Sequence, residues 1–391
     1  MPSLRRDQEA NPHRRPGLAG VAVAALTLLA SVADAKTLAP WSEGTLDIHH
    51  ISTGRGNATL FVLPDGTSLL VDAGAAPQGT VPGATPRPDG SRRPGEWIAR
   101  YIARTLPRPE LDYVVITHFH RDHMGGLTDV TKVIHVGRVL DRGWPDYDYP
   151  RPVDAALRTY DNVGHVEAFE AGRNDQIVLQ RFPETYPAFE VRNLTRNGEY
   201  WTGRGDETRE RFPPLEELEP RDDPSENMCS LSFRLRYGPF DYYTGGDLTG
   251  IPNVGHPPWQ NMEKAIAEIV GPVDVHVVNH HGSIDPASPE FLRALRPRVH
   301  IIPSWSPTHP APSVLKRLLA ERAYDGARDV FAVQLREPTK AAIGPRAERV
   351  KSDRGHVIVR VSPGGTAYEI FVVSDGDESG EILSEHGPYV P

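Results

Sequence analysis

Residues 111–126 read LDYVVITHFHRDHMGG, and this stretch decides the fold. Its first seven residues form a largely apolar run, typical of a buried β-strand, and the run stops at a cluster of histidines. Residues i and i+2 at a strand end can face the same way, so His118 and His120 can hold one metal ion. After the turn, Asp122 and His123 can present to a second ion. Because imidazoles and carboxylates are ligands that zinc prefers, the stretch predicts a metal site.

The sequence on either side predicts an α/β fold. Strand–turn–strand patterns occupy residues 45–74 and 230–247, and an amphipathic helix is expected at 96–106. Later strands and helices alternate, with strands at 273–278, 299–302, 357–361 and 368–373 and helices at 262–270, 291–295 and 314–323. Strand pairs followed by alternating strands and helices indicate an α/β sandwich with helices outside.

Composition narrows the class of protein. The 391 residues are 38% hydrophobic and 24% charged, as in soluble globular chains. The net charge of −9 gives no strong signal for nucleic acid, which an acidic surface repels. Cys229 is the only cysteine, so an intrachain disulfide is excluded. Residues 141–225 are dense in charge, proline and aromatic side chains with weak periodicity, and we interpret them as an insertion in a domain spanning 36–391.

The first 35 residues have the pattern of a secretory signal peptide. Four arginines precede a 15-residue apolar run at 18–32, and Ala33-Asp34-Ala35 follows as a small-x-small cleavage site. The run is short for a bilayer-spanning helix, which needs about 20 residues, although an uncleaved anchor is the alternative. We expect cleavage after Ala35, no membrane span in the mature chain, and a periplasmic or secreted location.

The histidine cluster and its downstream partners also resemble a known family. The string at 118–123 resembles the H-x-H-x-D-H signature of the metallo-β-lactamase superfamily, and further segments are similar to one branch, the metallohydrolase domain of the DNA-uptake protein ComEC and its secreted relatives. The resemblance covers about residues 44–140 and 226–375, and its motifs are specific in combination. It implies an αββα sandwich, with two mixed sheets inside and helices outside. The matching pieces are 59–74, 118–123, 226–231, 244–247, 279–283 and 308–310.

The resemblance implies further metal ligands. Asp247 would be the carboxylate that bridges two ions, which agrees with the position of an aspartate after two glycines at a strand end. His280 would be the late histidine ligand of the second ion, with His281 as the open alternative for that role or as a substrate contact. The implied cofactor is two zinc ions, with manganese or iron as alternatives.

One ligand of the superfamily has no clear counterpart. A further histidine usually lies between the signature and the bridging aspartate, and this chain offers only His135 and His165 there. His165 is a candidate, whereas Asn227 matches the residue that stands at that place in the ComEC-like branch.

Two more residues complete the expected site. The resemblance of 308–310 to a late Gly-His-Pro motif implies that His309 binds a substrate oxyanion or protonates the leaving group. Asp72 is expected to orient the histidine ligands by hydrogen bonding.

These residues predict an exported dinuclear hydrolase with a small-molecule or phosphodiester substrate. The expected nucleophile is a metal-bound hydroxide attacking a phosphodiester, with Asp122 orienting it. A lactone or amide hydrolase of the same fold is the alternative, and a non-catalytic metal-binding envelope module is the alternative of another class. Neither a Gly-x-Ser-x-Gly elbow nor a P-loop occurs in the sequence.

Overall fold

Two mixed β-sheets face each other across an apolar core in the computed structural model, which describes residues 36–75, 85–143 and 162–391. The leader predicted at 1–35 lies outside the described residues. Residues 36–391 form one compact unit. The arrangement is the αββα sandwich of the metallo-β-lactamase fold, as the sequence predicted.

The first sheet combines strands from both ends of the chain. Its early strands are β1 (Leu46–His50), β2 (Thr59–Val62), β3 (Ser68–Val71), β4 (Glu110–Val115), β5 (His135–Asp141) and β6 (Val163–Ala168). The second sheet holds β7 (Phe189–Arg196), β8 (Glu199–Trp201), β9 (Thr208–Glu210), β10 (Ser232–Tyr237), β11 (Phe240–Thr244), β12 (Val275–Val277), β13 (Val299–Ile302), β14 (Asp329–Ala332) and β15 (Val350–Ser352). The chain then returns to the first sheet with β16 (His356–Val361), β17 (Tyr368–Val373) and β18 (Ile382–Tyr389).

The two sheets have matching patterns of strand direction. The order in the first is β18-β17-β16-β1-β2-β3-β4-β5-β6, and in the second β15-β14-β13-β12-β11-β10-β7-β8-β9. Pairing is antiparallel from β18 to β3 and parallel from β3 to β6. In the second sheet it is parallel from β15 to β11 and antiparallel from β11 to β9. Functional loops are therefore expected at the carboxyl ends of the parallel strands.

Helices cover the outer face of each sheet. They are α1 (Pro94–Thr105), α2 (Arg121–Met124), α3 (Leu127–Thr131), α4 (Met262–Val270), α5 (Pro289–Leu295), α6 (Pro312–Leu318) and α7 (Glu337–Ile343). Helix α1 buries Ile98, Tyr101 and Ile102, whose spacing places them on one face against the first sheet. Helices α4 to α7 supply side chains to the apolar clusters on the outer side of the second sheet. Across the described ranges, we find no helix with the length and apolar character needed to cross a bilayer.

The core between the sheets is aromatic near its centre. The ring of Phe61 on β2 lies 6.2 Å from that of Phe233 on β10 and 5.5 Å, edge to face, from that of Tyr242 on β11. All three side chains are buried. These contacts join the two sheets directly, so they fix the separation of the strand ends that carry the functional residues.

The described part of residues 141–225 belongs to both sheets and is not a separate insertion. It contributes β6 to the edge of the first sheet and β7, β8 and β9 to the second. Residues 144–161 lie outside the described residues. Strand β18 was also not predicted, because its side chains are mostly exposed and polar and give no strong hydrophobic pattern.

We expect Phe61→Ala to lower the free energy of unfolding by about 3–5 kcal/mol, because it leaves a cavity between the sheets. Urea denaturation followed by circular dichroism measures the change. Phe182→Ala is the matched control, since that ring is 53% exposed and its loss should cost little. Equal costs for the two variants would contradict the placement of Phe61 in the core.

Candidate metal centre

The polar residues singled out in the sequence meet where strands of both sheets end. Asp72 follows β3, and the 118–123 segment follows β4 in the first sheet. Asp247 follows β11, His280 and His281 follow β12, and the loop carrying His309 follows β13 in the second. The cluster therefore lies at the carboxyl ends of strands, where α/β folds generally place their sites.

The 118–123 segment turns sharply from strand β4 into the short helix α2. His118 is fully buried, and its Nε2 lies 3.1 Å from Nδ1 of His120. His123 is also buried, whereas Asp122 and His120 are half-buried at the edge of the cluster. The strand end and the first helical turn thus bring all four side chains to one side of the segment.

Asp72 is held rigidly beneath this segment. Its carboxylate accepts hydrogen bonds from the amide of Thr117 at 2.8 Å, the Thr117 hydroxyl at 3.0 Å and Asn57 Nδ2 at 3.0 Å. Asp72 Oδ2 also lies 2.7 Å from His123 Nδ1. Because a carboxylate accepts hydrogen bonds, this contact places the proton on Nδ1 and leaves Nε2 to face the cluster. Asp72 thereby makes the orienting contact expected of it.

Asp247 lies at the centre of the cluster. Two glycines precede it, and a side chain at Gly246 would collide with Thr117, whose atoms come within 2.6 Å of the position a Cβ would take. Asp247 Oδ1 lies 3.2 Å from His123 Nε2 and 3.5 Å from His281 Nε2. Asp247 Oδ2 lies 3.7 Å from His118 Nε2 and 3.9 Å from His280 Nε2. Each oxygen of this buried carboxylate therefore faces its own pair of imidazoles.

The two consecutive histidines have different neighbours in the cluster. His281 Nε2 lies 3.2 Å from Asp122 Oδ2 and 3.1 Å from His123 Nε2. The potential ligand atoms of Asp122, His123 and His281 all lie within 4.8 Å of one another, as do those of His118, His123 and Asp247. His281, rather than His280, thus stands where the sequence placed the late ligand of the second ion. The reason is the backbone, since both histidines have positive φ, 47° and 53°, and their rings diverge.

His280 lies on the other side of the cluster. Its Nδ1 lies 2.7 Å from Asp285 Oδ1, and its Nε2 lies 3.1 Å from Asn227 Nδ2. The Oδ1 atom of Asn227 is buried and has no hydrogen-bond partner among the described residues. The sequence reasoning missed Asp285, although it follows His280 by only five residues.

His309 packs against the cluster without joining it. Its ring stacks on that of His281, with centroids 5.1 Å apart, and meets the Trp305 ring edge to face at 5.6 Å. Burial and the neighbouring His281 lower the pKa of His309 to about 3, so the ring is neutral in this setting. Its buried Nδ1 has no hydrogen-bond partner among the described residues.

The other two histidines between the signature and Asp247 stay away from the cluster. His165 lies on β6 with its side chain 64% exposed, and its Nε2 is 3.5 Å from Glu167. His135 lies at the exposed start of β5 and contacts Asn162. Neither joins a group of potential ligand atoms within the described part of the chain.

Burial and mutual charge interactions shift the pKa values of the side chains in the cluster. Burial raises the pKa of Asp247, but His123, His281 and His280 outweigh it and hold that pKa well below the usual range. Burial lowers the pKa of His123, but Asp247, Asp72 and Asp122 raise it well above the usual range. The pKa of His118 is lowered by burial and by His123. The neighbouring imidazoles thus hold the buried carboxylate of Asp247 in its ionised form.

The donor set fits metal ions. The Nδ1 of His281 lies 3.0 Å from the carbonyl oxygen of Pro303, which can only accept, so Nδ1 carries a proton and Nε2 faces the cluster. His123 likewise directs its Nδ1 to Asp72 and its Nε2 to the cluster. The two Nε2 atoms lie 3.1 Å apart and close to the carboxylates of Asp122 and Asp247, a set of donors that suits a cation. Imidazole and carboxylate ligands suit zinc, iron and manganese.

A cavity of about 340 Å³ adjoins the cluster. Its polar lining includes Asn227, His280 and Asp285, together with Arg221, Asp223 and His256. This size suits a small molecule or one end of a larger one.

The comparisons with known proteins agree with this fold. Residues 51–185 match the model of the metallo-beta-lactamase superfamily, whose members are metal-dependent hydrolases with dinuclear centres. The match contains the 118–123 signature, whereas Asp247, His280 and His281 lie beyond it. The comparison with curated proteins finds no match.

Several solved structures are similar at low identity. CmlA, a diiron beta-hydroxylase from Streptomyces venezuelae, is 17% identical with a TM-score of 0.39, and the alignment covers 83% of this chain and 55% of CmlA. A protein described as a metal-dependent hydrolase from Parabacteroides distasonis is 14% identical with a TM-score of 0.34, covering 74% and 94% of the two chains. The Rm3 metallo-beta-lactamase is 13% identical with a TM-score of 0.35, covering 79% and 86%. The function therefore has to be argued from the site itself.

We expect Asp72→Asn to weaken Zn²⁺ binding about 10–100-fold, because the substitution removes the charge that orients His123. Competition with a chromogenic zinc chelator measures the affinity, and circular dichroism checks that the variant remains folded. His165→Ala is the control and should bind Zn²⁺ like the wild type. A folded Asp72→Asn protein with unchanged affinity would refute the orienting role.

Proposed function

We propose that this chain is an exported, two-ion metallohydrolase that cleaves phosphodiesters. The observation that supports it most is the position of Asp247, a buried ionised carboxylate whose two oxygens each face a separate pair of imidazoles. A carboxylate shared in this way suits a bridge between two ions. Zinc is the metal we propose, because nitrogen and oxygen donors of this kind suit it.

The residues divide between the two proposed ions. Asp122, His123 and His281 would hold one, and His118 and His120 would hold the other, with Asp247 between them. When bound, the ions supply a nucleophilic water near neutral pH and Lewis-acid stabilisation of the negative charge that develops on the substrate.

The protein's own groups would orient the substrate. Asp122 is half-buried at the rim of the cluster, where its carboxylate can accept a proton from the attacking water. His309 is neutral, and its buried Nδ1 has no hydrogen-bond partner among the described residues. It therefore suits a hydrogen bond to a substrate oxygen better than an ion pair with it. The adjoining cavity would take the remainder of the substrate.

A phosphodiester is the preferred substrate class for two reasons. The downstream segments resemble the ComEC-like branch, and the cavity lining includes Arg221 and His256, which can contact an anionic ester, beside the acidic Asp223. Asp285 lies in the same wall, but it is already engaged with His280. The small cavity and the net charge of −9 favour a small diester over long nucleic acid.

Metal-loaded wild-type protein should hydrolyse bis(p-nitrophenyl) phosphate, and Asp247→Asn should lower kcat/KM more than about 100-fold, beyond the loss typical of residues that only orient ligands. EDTA should abolish the activity and added Zn²⁺ should restore it. His135→Ala, an exposed site on β5, is the control.

The same assays on lactone and amide substrates separate the alternatives. Hydrolysis of a lactone with none of the diester would replace the proposed substrate class. Protein that binds two ions and cleaves none of these substrates would favour the non-catalytic module.

We also propose that the chain is exported by its 1–35 leader, with Lys36 as the mature N-terminus. Expression of the full chain in a Gram-negative host should yield periplasmic protein whose mass and N-terminal sequence begin at Lys36. Ala35→Arg should block cleavage, because the site requires a small residue there. Cytoplasmic full-length protein from the unaltered chain would contradict export.

A further inference from the structure

The cavity beside the metal cluster has an apolar side. Ile251 and Ile284 both belong to its lining and are 38% and 65% exposed. Met228 and Pro252 add apolar surface to the same lining, and Val254, three residues after Ile251, is fully exposed. Single apolar residues on a protein surface are ordinary, whereas a group of them at a cavity indicates a binding surface. The polar metal cluster alone does not account for this part of the lining.

The two isoleucines are held close together by a fixed backbone. The amide of Ile251 donates to the carbonyl of Asp285 at 2.8 Å, and Ile284 directly precedes that residue. A Cβ at Gly250 would lie 2.4 Å from the same carbonyl oxygen, so the close approach of the two segments requires glycine there. The carbonyl of Ile284 accepts from Arg317 Nη2 at 3.0 Å. Both side chains are therefore exposed from anchored segments.

The polar groups nearest to the cluster in this lining are already engaged with one another. Asp285 Oδ1 lies 2.7 Å from His280 Nδ1, and Asp285 Oδ2 accepts from the amide of Gly250 at 3.1 Å. Asn227 Nδ2 lies 3.1 Å from His280 Nε2. Apart from the buried Oδ1 of Asn227, these atoms have partners. A ligand has to displace such contacts, whereas it gains from covering the exposed isoleucines.

The basic side chains of the lining lie beside carboxylates. Arg221 Nε and His256 Nδ1 are 3.7 and 3.8 Å from carboxylate oxygens of Asp222, and Asp223 belongs to the same lining. Neighbouring charges of opposite sign weaken the attraction for a free anion. The lining is therefore better suited to select ligands by apolar contact than by charge.

The position of the cavity identifies the occupant of its apolar side. The cavity reaches the cluster at Asn227 and His280, so a substrate whose ester group meets the ions has the rest of its structure in or across this cavity. An aliphatic chain on that substrate would cover Ile251 and Ile284. Each methylene group removed from water in this way strengthens binding roughly fourfold.

We propose that the substrate is an amphiphilic phosphodiester whose alkyl or acyl chain lies against Ile251 and Ile284. This inference rests on the proposed diesterase function and names the substrate class for it. Hydrolysis breaks one P–O ester bond, joins the oxygen of water to phosphorus and transfers a proton from that water to the leaving oxygen. The isoleucines determine specificity and take no part in this step.

Binding of matched alkyl phosphates tests the chain site without turnover. The mature, Zn²⁺-loaded protein is titrated calorimetrically with octyl phosphate and with methyl phosphate, both below the concentration at which micelles form. Octyl phosphate should bind more than about tenfold more tightly, which corresponds to the burial of about two methylene groups. Equal affinities would overturn the chain site.

Substitutions of the isoleucines locate that preference. Ile284→Ser should reduce the ratio of the two affinities at least about threefold, and the double variant with Ile251→Ser should abolish the preference, whereas Ile284→Leu should keep it. Val133→Ser, at a residue 70% exposed between α3 and β5, is the control and should behave like the wild type. Zinc content and melting temperature check each variant. A double serine variant that is folded, holds zinc and still prefers octyl phosphate would refute the assignment.

Hydrolysis of two chromogenic diesters separates this inference from the proposed function. With p-nitrophenyl octyl phosphate, kcat/KM should exceed that for p-nitrophenyl methyl phosphate more than about tenfold, mainly through a lower KM, because the chain is bound equally in the ground and transition states. Equal kcat/KM values would overturn the chain site and leave the diesterase in place. Hydrolysis of neither ester, together with tighter binding of octyl phosphate, would refute the diesterase and support the apolar site.

Discussion

A buried carboxylate among imidazoles governs the organisation of this protein. Removing Asp247 from water costs several kcal/mol unless positive charge compensates it, and the four nearest partners are imidazole nitrogens at 3.2–3.9 Å. At least two of those rings have their Nδ1 protons committed to acceptors, namely Asp72 and the carbonyl of Pro303. The Nε2 atoms of these two rings are left facing Asp247, where a proton or a metal ion can join ring and carboxylate.

The sandwich architecture makes this arrangement possible. Asp72 and the 118–123 segment come from the first sheet, whereas Asp247, His280 and His281 come from the second. No single sheet supplies a complete site. The packing of Phe61 against Phe233 and Tyr242 holds the sheets together, so the apolar core sets the distances among polar groups at the strand ends.

Two carboxylates orient the cluster from opposite sides. Asp72 fixes His123 from beneath the first sheet's strand ends, and Asp285 fixes His280 from the cavity side. Asp285 therefore lines the cavity and also holds the His280 ring.

The sequence by itself determined the fold class and the first candidate metal ligands, which lie at 118–123. An apolar strand that ends in closely spaced histidines and an aspartate is a local pattern. Such a pattern can be recognised without knowledge of the tertiary structure. Helix α4 was predicted with its observed bounds because its apolar spacing is regular and Gly271 follows it. Strands β18 and β6 were not predicted, because both lie at sheet edges and their mostly exposed or half-buried side chains give no clear hydrophobic pattern.

Only the tertiary structure decided which histidine faces which oxygen of Asp247. The sequence shows His280 and His281 as adjacent and chemically equal, whereas positive φ at both turns their rings toward different partners. Backbone angles of this kind depend on the anchoring of the turn to Gly246 and Glu263, which lie 34 and 17 residues away from His280 along the chain. Likewise, the distance of His165 from the cluster follows from the position of β6 in the sheet, because a residue's neighbours across a fold are set by strand order rather than by spacing in the sequence.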